Sequence, residues 1–317
     1  MSGGSTAARM RPLAVNAAGL DFQNPIVLAA GTAAYGRELR DVIAIDALGG
    51  IGTKAVSVAP RAGAPAPRVA EADDGVMLNA VGLANPGLED VKRVEIPWLA
   101  QHAGAARVLV NVVGSTIEDY ATVVAGLTNE RGVDVFELNV SCPNVRAGGM
   151  EFGADPTTLA AVVRGARAAT TRPIFVKLSP AAADLAGSAR VAVDAGADGI
   201  TLVNTMPGLV VDVERRRPAL GFGSGGVSGA PLLPVGVLAT WKVRQAVRVP
   251  LIGVGGVSSA DDALQYLIAG ATLVGIGTAA LRDPRAPERV VRDLARWCAR
   301  HGVGSLGELI GTLEWPS

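Results

Sequence analysis

The sequence predicts an α/β chain folded as one (β/α)8 barrel, a TIM barrel, with extended loops at the carboxyl face of its strands. Three observations carry that expectation. Eight short β-rich runs recur along the 317 residues, and a helical pattern follows most of them. The runs are apolar without strict alternation, as strands covered on both faces of a parallel sheet are. The two longest stretches outside this alternation both leave from the C-terminal end of a run, the side on which barrels build their sites. A doubly wound open sheet shares the alternation and stands as the alternative. No linker divides the chain, so residues 13–317 are expected to form a single domain behind a flexible tail of residues 1–12.

The elements follow in order. The first strand is read at Ile26-Val27-Leu28 and the second at Ile51-Gly52-Thr53-Lys54. A long insertion then runs from Ala55 to about Glu95, with Pro60, Pro65 and Pro67 followed by Met77-Leu78-Asn79. Val108 to Asn111 is the third strand, Ile117 to Asn129 a helix, and Val135 to Asn139 the fourth strand. Asp155 is a candidate cap for a helix over Pro156 to Ala169. Ile174 to Leu178 is the fifth strand, with Ser179 a candidate cap near a helix over Asp184 to Ala195. Gly199 to Asn204 is the sixth strand, and a second excursion, Met206 to Gly229, carries Arg215-Arg216-Arg217 and a Gly-rich end. Helix Val235 to Ala246, strand Pro250 to Val254, helix Ala260 to Ala269 capped by Ser259, and strand Leu273 to Ile276 complete the set. Long ordered loops in a compact enzyme are often functional.

Composition narrows the functional classes. Apolar residues make up 49% and aromatic ones only 4%, with 40 Gly, which favours close backbone packing and tight turns and excludes disorder or a collagen-like chain. Lys plus Arg and Asp plus Glu both number 29, and no long basic stretch offers the footprint that nucleic acid requires. Two cysteines, Cys142 and Cys298, are too few for a disulfide framework or an iron-sulfur cluster, and a reducing cytoplasm suits them. Met1 to Arg11 leads into no apolar core of a signal peptide. Two uncharged stretches have membrane-spanning length, Leu220 to Trp241 and Ala263 to Leu281, but glycines and prolines break the first, and Gln265 and glycines the second. No membrane association is expected.

Five of the strands end in a polar residue: Lys54, Asn111, Asn139, Lys177 and Asn204. One Asn after a strand is ordinarily a turn residue. Five at equivalent positions of a barrel converge on one pocket, with two cations and several amides suited to a planar, polar, anionic ligand. Cys142, in Asn139-Val140-Ser141-Cys142-Pro143-Asn144, is either a small buried hydrophobe or a thiol placed to act as base or nucleophile. Cys298, on a C-terminal helix, reads as packing. Gly255-Gly256 and Gly277-Thr278 follow the last two strands, where barrel loops with a helix N-terminus commonly bind phosphate. Gly221 to Gly226 matches GxGxxG but lacks the preceding buried strand and βαβ context of a dinucleotide site. The two histidines, His102 and His301, read as solvated, and no GxSxG, HExxH or GxxxxGK[ST] arrangement occurs.

Taken together, Thr53-Lys54-Ala55-Val56, Pro67-Arg68-Val69, Asn79 to Gly87, Asn139 to Asn144, Val176 to Pro180 and Val203-Asn204-Thr205 resemble, in order and spacing, the class 1 dihydroorotate dehydrogenases. The first and third pieces are more similar to the 1B catalytic subunit than to the 1A form. The resemblance implies flavin mononucleotide (FMN) over the barrel mouth, its phosphate at Gly229, Gly255, Gly256, Gly277 and Thr278. Ala30, Gly31, Lys54, Ala55, Asn111, Asn139, Lys177 and Val203 would contact the flavin. Dihydroorotate would be held by Lys54, the segment Asn79, Ala80, Val81, Gly82 and Leu83, and by Asn139, Asn144, Asn204 and Thr205. Cys142 would be the base that takes a proton from C5 while C6 gives hydride to the flavin, leaving orotate. The loop Val145 to Gly153 would close over the site. Where many relatives have Ser before the glycine after strand one, this chain has Ala30-Gly31, which removes one possible flavin hydrogen bond.

By the same resemblance, electrons would pass to NAD through a second polypeptide carrying FAD and a [2Fe-2S] cluster, with this chain a homodimer inside a heterotetramer. The rivals are a 1A homodimer that reduces fumarate, a dihydropyrimidine dehydrogenase with a similar Cys base, and, from another class, a phosphate-binding barrel lyase or isomerase or a noncatalytic binding module.

Overall fold

The computed structural model describes residues 11–72, 75–141 and 152–316. It opens with a 3-10 turn, Arg11–Leu13, and an antiparallel hairpin of β1 (Val15–Ala17) and β2 (Leu20–Phe22). Ala18 and Gly19 both take positive φ at its tip, the backbone that a two-residue hairpin turn demands. Val15, Ala17 and Phe22 turn into the main core, and Arg107 donates from Nε to the Asp21 carbonyl.

The remaining strands are β3 (Ile26–Leu28), β4 (Gly50–Gly52), β5 (Val69–Glu71), β6 (Val76–Asn79), β7 (Arg107–Val112), β8 (Val135–Asn139), β9 (Ile174–Leu178) and β10 (Gly199–Leu202). They continue with β11 (Met206–Gly208), β12 (Val211–Asp212), β13 (Arg217–Pro218), β14 (Gly225–Gly229), β15 (Leu251–Val254) and β16 (Leu273–Ile276). Eight of them close into a parallel barrel in the order β3-β4-β7-β8-β9-β10-β15-β16. Pairing of the last strand with the first, Val274 with Ile26 and Ile276 with Leu28, decides for the barrel over the open sheet. The eight expected strands are these eight.

Helices pack outside the barrel on continuous apolar stripes. Thr116 caps Ile117–Leu127 and Ser259 caps Ala260–Ala269, each in a reciprocal capping box with the aspartate three residues on. Asp155 caps Pro156–Ala168 through the Thr158 amide. Ser179 does not cap the next helix: Leu185–Asp194 is capped by Asp184, and Ser179 accepts from the Ala181 amide in a local turn. Leu232–Ala246 begins three residues before its expected start, because Pro231 and Pro234 both suit a first helical turn. Cys298 is buried on the helix Ala286–His301, as packing.

The two excursions do not remain separate loops. β5 and β6 from the first join β14 and β11 from the second in a four-stranded antiparallel sheet, with Asn79 opposite Gly226 and Leu78 opposite Val227. A small second core of Leu78, Ala80 and Leu220 lies under it. Arg215 and Arg217 belong to the exposed β12–β13 hairpin, and Arg215 pairs with Asp212. The GxGxxG stretch runs into β14, an antiparallel strand, so no dinucleotide-binding βαβ unit forms there. Among the described residues, no helix is long and apolar enough to cross a membrane.

Tyr266 is fully buried and packs on the glycine of β15: a Cβ at Gly253 would stand 2.2 Å from its ring. Gly253→Ala is therefore an overpacking substitution and is expected to lower stability by about 1–3 kcal/mol, read from the urea unfolding midpoint. An unchanged midpoint would contradict the packing described.

Candidate active site

A cavity of about 760 Å³ opens at the carboxyl ends of the barrel strands, within the range of small-molecule and cofactor sites. All five polar strand-end residues, Lys54, Asn111, Asn139, Lys177 and Asn204, line it. So do Asn79, Val81, Gly82 and Leu83 from the first excursion, Ala30, Gly31 and Ala55, Val203 and Thr205, and the glycines Gly229, Gly255, Gly256 and Gly277 with Thr278.

Parallel strands place alternate residues on the barrel interior, so Glu137 and Asn139 of β8 share a face. Asn111 stands opposite Glu137 in register, and Asn139 opposite Lys177. The outcome is a directed chain of hydrogen bonds. Asn204 donates from Nδ2 to Asn139 Oδ1 at 3.2 Å and to Ser141 Oγ at 2.9 Å. Asn139 in turn donates to Asn111 Oδ1 at 3.5 Å, a long contact, and Asn111 donates to Glu137 Oε1 at 2.8 Å. Thr201 donates to the other carboxylate oxygen at 2.9 Å, and Lys177 Nζ stands 4.0 Å from Oε1. Lys177 and Glu137 are only 6% and 5% exposed. Among the described residues, no buried side-chain nitrogen or oxygen lacks a partner.

Backbone bonds fix the rest of the site. The Lys54 amide donates to the Ala34 carbonyl at 2.7 Å, and Thr53 Oγ1 accepts from the Asn111 amide at 3.1 Å. Asn79 Nδ2 reaches the Gly226 carbonyl at 3.3 Å, joining the two excursions beside the cavity. Tyr120 donates to the Asn139 carbonyl at 3.0 Å, and the Thr205 amide to Asn204 Oδ1 at 2.8 Å. Opposite, Thr278 Oγ1 bonds Ser228 Oγ at 2.8 Å, and Tyr266 donates to the Gly255 carbonyl at 2.8 Å. Burial pushes the Tyr266 phenol well above its ordinary range, so it remains a donor at every physiological pH.

One expected position departs from this arrangement. Ala80 does not line the cavity; it is fully buried in the small second core, its amide donating to the Arg68 carbonyl. Extended backbone turns successive residues to opposite sides, so a cavity-facing Asn79 sends Ala80 under the sheet. Cys142 and Asn144 lie outside the described residues, as does the loop after them up to residue 151. Glu137, Ser228 and Arg282 were not anticipated. Arg282 lines the cavity and pairs with Glu71. Glu137 had a signal, a carboxylate inside the apolar run Val135–Asn139, whereas Ser228 and Arg282 had none beyond their neighbours.

With this geometry in place, comparison with known proteins is decisive. The family profile for dihydroorotate dehydrogenase matches residues 12–297. The chain belongs to the dihydroorotate dehydrogenase family. It is 43% identical over 306 residues to the dihydroorotate dehydrogenase B (NAD(+)) catalytic subunit of Pelobacter propionicus, covering 96% of this chain and 100% of that one. The corresponding subunit of Desulforudis audaxviator is 44% identical over 298 residues, 94% and 96% of the two chains. A crystal structure of DHODH from Eimeria tenella in complex with ferulenol matches with a TM-score of 0.79 over 95% of this chain and 88% of that one, at 23% identity, which bears on the fold alone. The motif resemblance is borne out, and on its 1B side.

Dihydroorotate dehydrogenases use FMN, and the residues present fit it. Gly277 is small without a packing reason: a Cβ there would meet nothing nearer than 3.6 Å and would stand beside Ala29 and Thr32, which also line the cavity. At Gly31 a Cβ would meet nothing within 4 Å. Gly255 and Gly256 take φ of +133° and +74°, which bends the backbone into a turn beside them. Backbone amides of such a turn recognise phosphate oxygens, and Lys177 brings a cation to the same cavity. A Cβ at Gly256 would lie 2.6 Å from the Leu233 amide nitrogen. Gly256→Ala must therefore shift the turn, and we expect FMN affinity to fall at least about tenfold by fluorescence titration while the far-UV spectrum keeps its barrel signature. Unaltered affinity would remove this turn from the phosphate site.

Proposed function

We propose that the chain oxidises (S)-dihydroorotate to orotate, a step of de novo pyrimidine synthesis, at this cavity. One observation carries the reading: a cation, three amides and a hydroxyl, Lys54, Asn79, Asn139, Asn204 and Thr205, face one cavity with Lys177 in a chain of the B-type family. Dihydroorotate offers one carboxylate and a ring of alternating amide donors and acceptors. Lys54 matches the carboxylate, and Asn side chains, which both donate and accept, match the ring. Asn144 completes the set in this reading.

Cys142 takes the C5 proton as its thiolate. FMN, when bound, supplies the acceptor for the hydride that leaves C6, so the substrate loses one proton and one hydride and gains the C5–C6 double bond. Lys177, which lines the cavity, would hold positive charge toward the flavin's pyrimidine edge, where negative charge collects on reduction. Gly229, Gly255, Gly256, Gly277 and Thr278 would hold its phosphate.

The electrons then leave for NAD through a second polypeptide that carries FAD and a [2Fe-2S] cluster, this chain being a homodimer within a heterotetramer. The relatives' standing as NAD(+)-linked catalytic subunits supports this, as does the small number of cysteines here, two against the four such a cluster takes. A reducing cytoplasm suits the same cysteine usage.

Anaerobic mixing of the FMN-loaded chain with dihydroorotate is expected to bleach its yellow colour. Cys142→Ala should slow that bleaching by about 10²–10⁴-fold, the usual contribution of a positioned base, and leave flavin content unchanged. In the intact chain the rate should rise with pH as the thiol deprotonates, ordinarily near pH 8.5. Near-normal bleaching by Cys142→Ala would refute the base. Efficient reoxidation of the isolated chain by fumarate would refute the NAD route.

A further inference from the structure

Among the described residues, Glu137 is the one buried carboxylate, and the reaction above leaves it without a task. A buried ion pair is costly to assemble, and apolar residues of like volume often replace one without loss of stability. Its surroundings are specific. Both oxygens accept a hydrogen bond, from Asn111 at 2.8 Å and Thr201 at 2.9 Å, which is the pattern of an ionised carboxylate. The four residues sit on four successive barrel strands, with Asn111 in register with Glu137 and Thr201 in register with Lys177.

Two consequences follow. At 4.0 Å the Lys177 ammonium feels the carboxylate's charge but does not give it a hydrogen bond, so its N–H groups stay available to the cavity it lines. The carboxylate is also acceptor-only, so it fixes which way the Asn111 amide points. Asn111 then presents Oδ1 to Asn139, and Asn139 presents Oδ1 to Asn204. One charge at the end of the chain thereby sets which atom each cavity amide offers.

We propose that Glu137 is a positioning residue that orients this amide chain and opposes the charge of Lys177, and so sets how strongly the bound flavin holds electrons. A lone cation under the flavin's pyrimidine edge would stabilise the reduced form and hinder its reoxidation. The opposing carboxylate lowers that preference and keeps electron release to an acceptor favourable. This inference rests on the cavity being the flavin site, and retention of FMN by the purified wild-type chain tests that reading on its own.

The test is the flavin midpoint potential at pH 7, measured by equilibration with a reference dye in the FMN-loaded protein. Glu137→Gln keeps an acceptor for Asn111 and a donor for Thr201 but removes the charge. It should raise the ratio of reduced to oxidised flavin at fixed potential about tenfold or more, or ~30 mV for a two-electron couple. Glu137→Met removes both charge and acceptor; it should raise the ratio similarly and also weaken orotate binding, because the amides lose their orientation. Either variant suffices if the other does not fold. Thr201→Val, which removes a hydrogen bond and leaves the charge, should stay within about threefold of the wild type. An unchanged or more negative potential in the charge-removing variants, or an equal shift in Thr201→Val, would overturn the proposal. If wild-type protein takes up no FMN, the underlying flavin reading fails instead.

Discussion

A lysine inside a closed barrel needs a counter-charge, and the Glu137–Lys177 pair is the interaction on which the rest of the site depends. Lys177 and Glu137 are both buried within the barrel, where an unpaired charge is untenable. The pair resolves this with a separation of 4.0 Å, close enough for attraction and too long for a hydrogen bond. The cation therefore remains free to act on whatever occupies the cavity. The amides of Asn111, Asn139 and Asn204 take their directions from the same carboxylate. A site that must recognise a small acid and an isoalloxazine ring together is thus organised from beneath, by strands, and not by loops alone.

The other side of the cavity is built differently. There the chain uses glycines, a buried tyrosine and a small antiparallel sheet. Tyr266 fixes the Gly255 carbonyl, and Thr278 and Ser228 link the last barrel loop to β14. Because β14 pairs with β6, the second excursion carries the first, and Asn79 reaches the cavity from a strand anchored to both. The glycine side of the cavity and the Asn79 side are coupled through one sheet, so a disturbance at either excursion reaches both.

The sequence made much of this legible, for physical reasons that differ from residue to residue. Barrel strands are apolar on both faces, so their runs stood out, and four of the eight carried the expected bounds. Lys54, Asn111, Asn139, Lys177 and Asn204 were visible because a polar residue ending an apolar run is conspicuous. The four-stranded sheet was not, since its strands are three to five residues long and β6 and β14 lie about 150 residues apart, so no local pattern announces their pairing. Ala80 was carried into the substrate segment as part of a contiguous motif, and only the alternation of extended backbone removes it. The β1–β2 hairpin escaped because its tip is Ala-Gly, without the Asn-Gly or Asp-Gly signature of such turns. Glu137 was passed over because it was read as a strand residue, although a carboxylate in an apolar run is itself a signal of a partner.

The most direct test of the account is a crystal structure of the chain grown with FMN and orotate. It predicts the phosphate on the amides around Gly229, Gly256 and Thr278, the flavin's pyrimidine edge within hydrogen-bond distance of Lys177 Nζ, and orotate between the ring and Cys142 with Asn79, Asn139 and Asn204 on its polar edge. A flavin bound elsewhere, or a Lys177 turned away from it into a hydrogen bond with Glu137, would contradict the account.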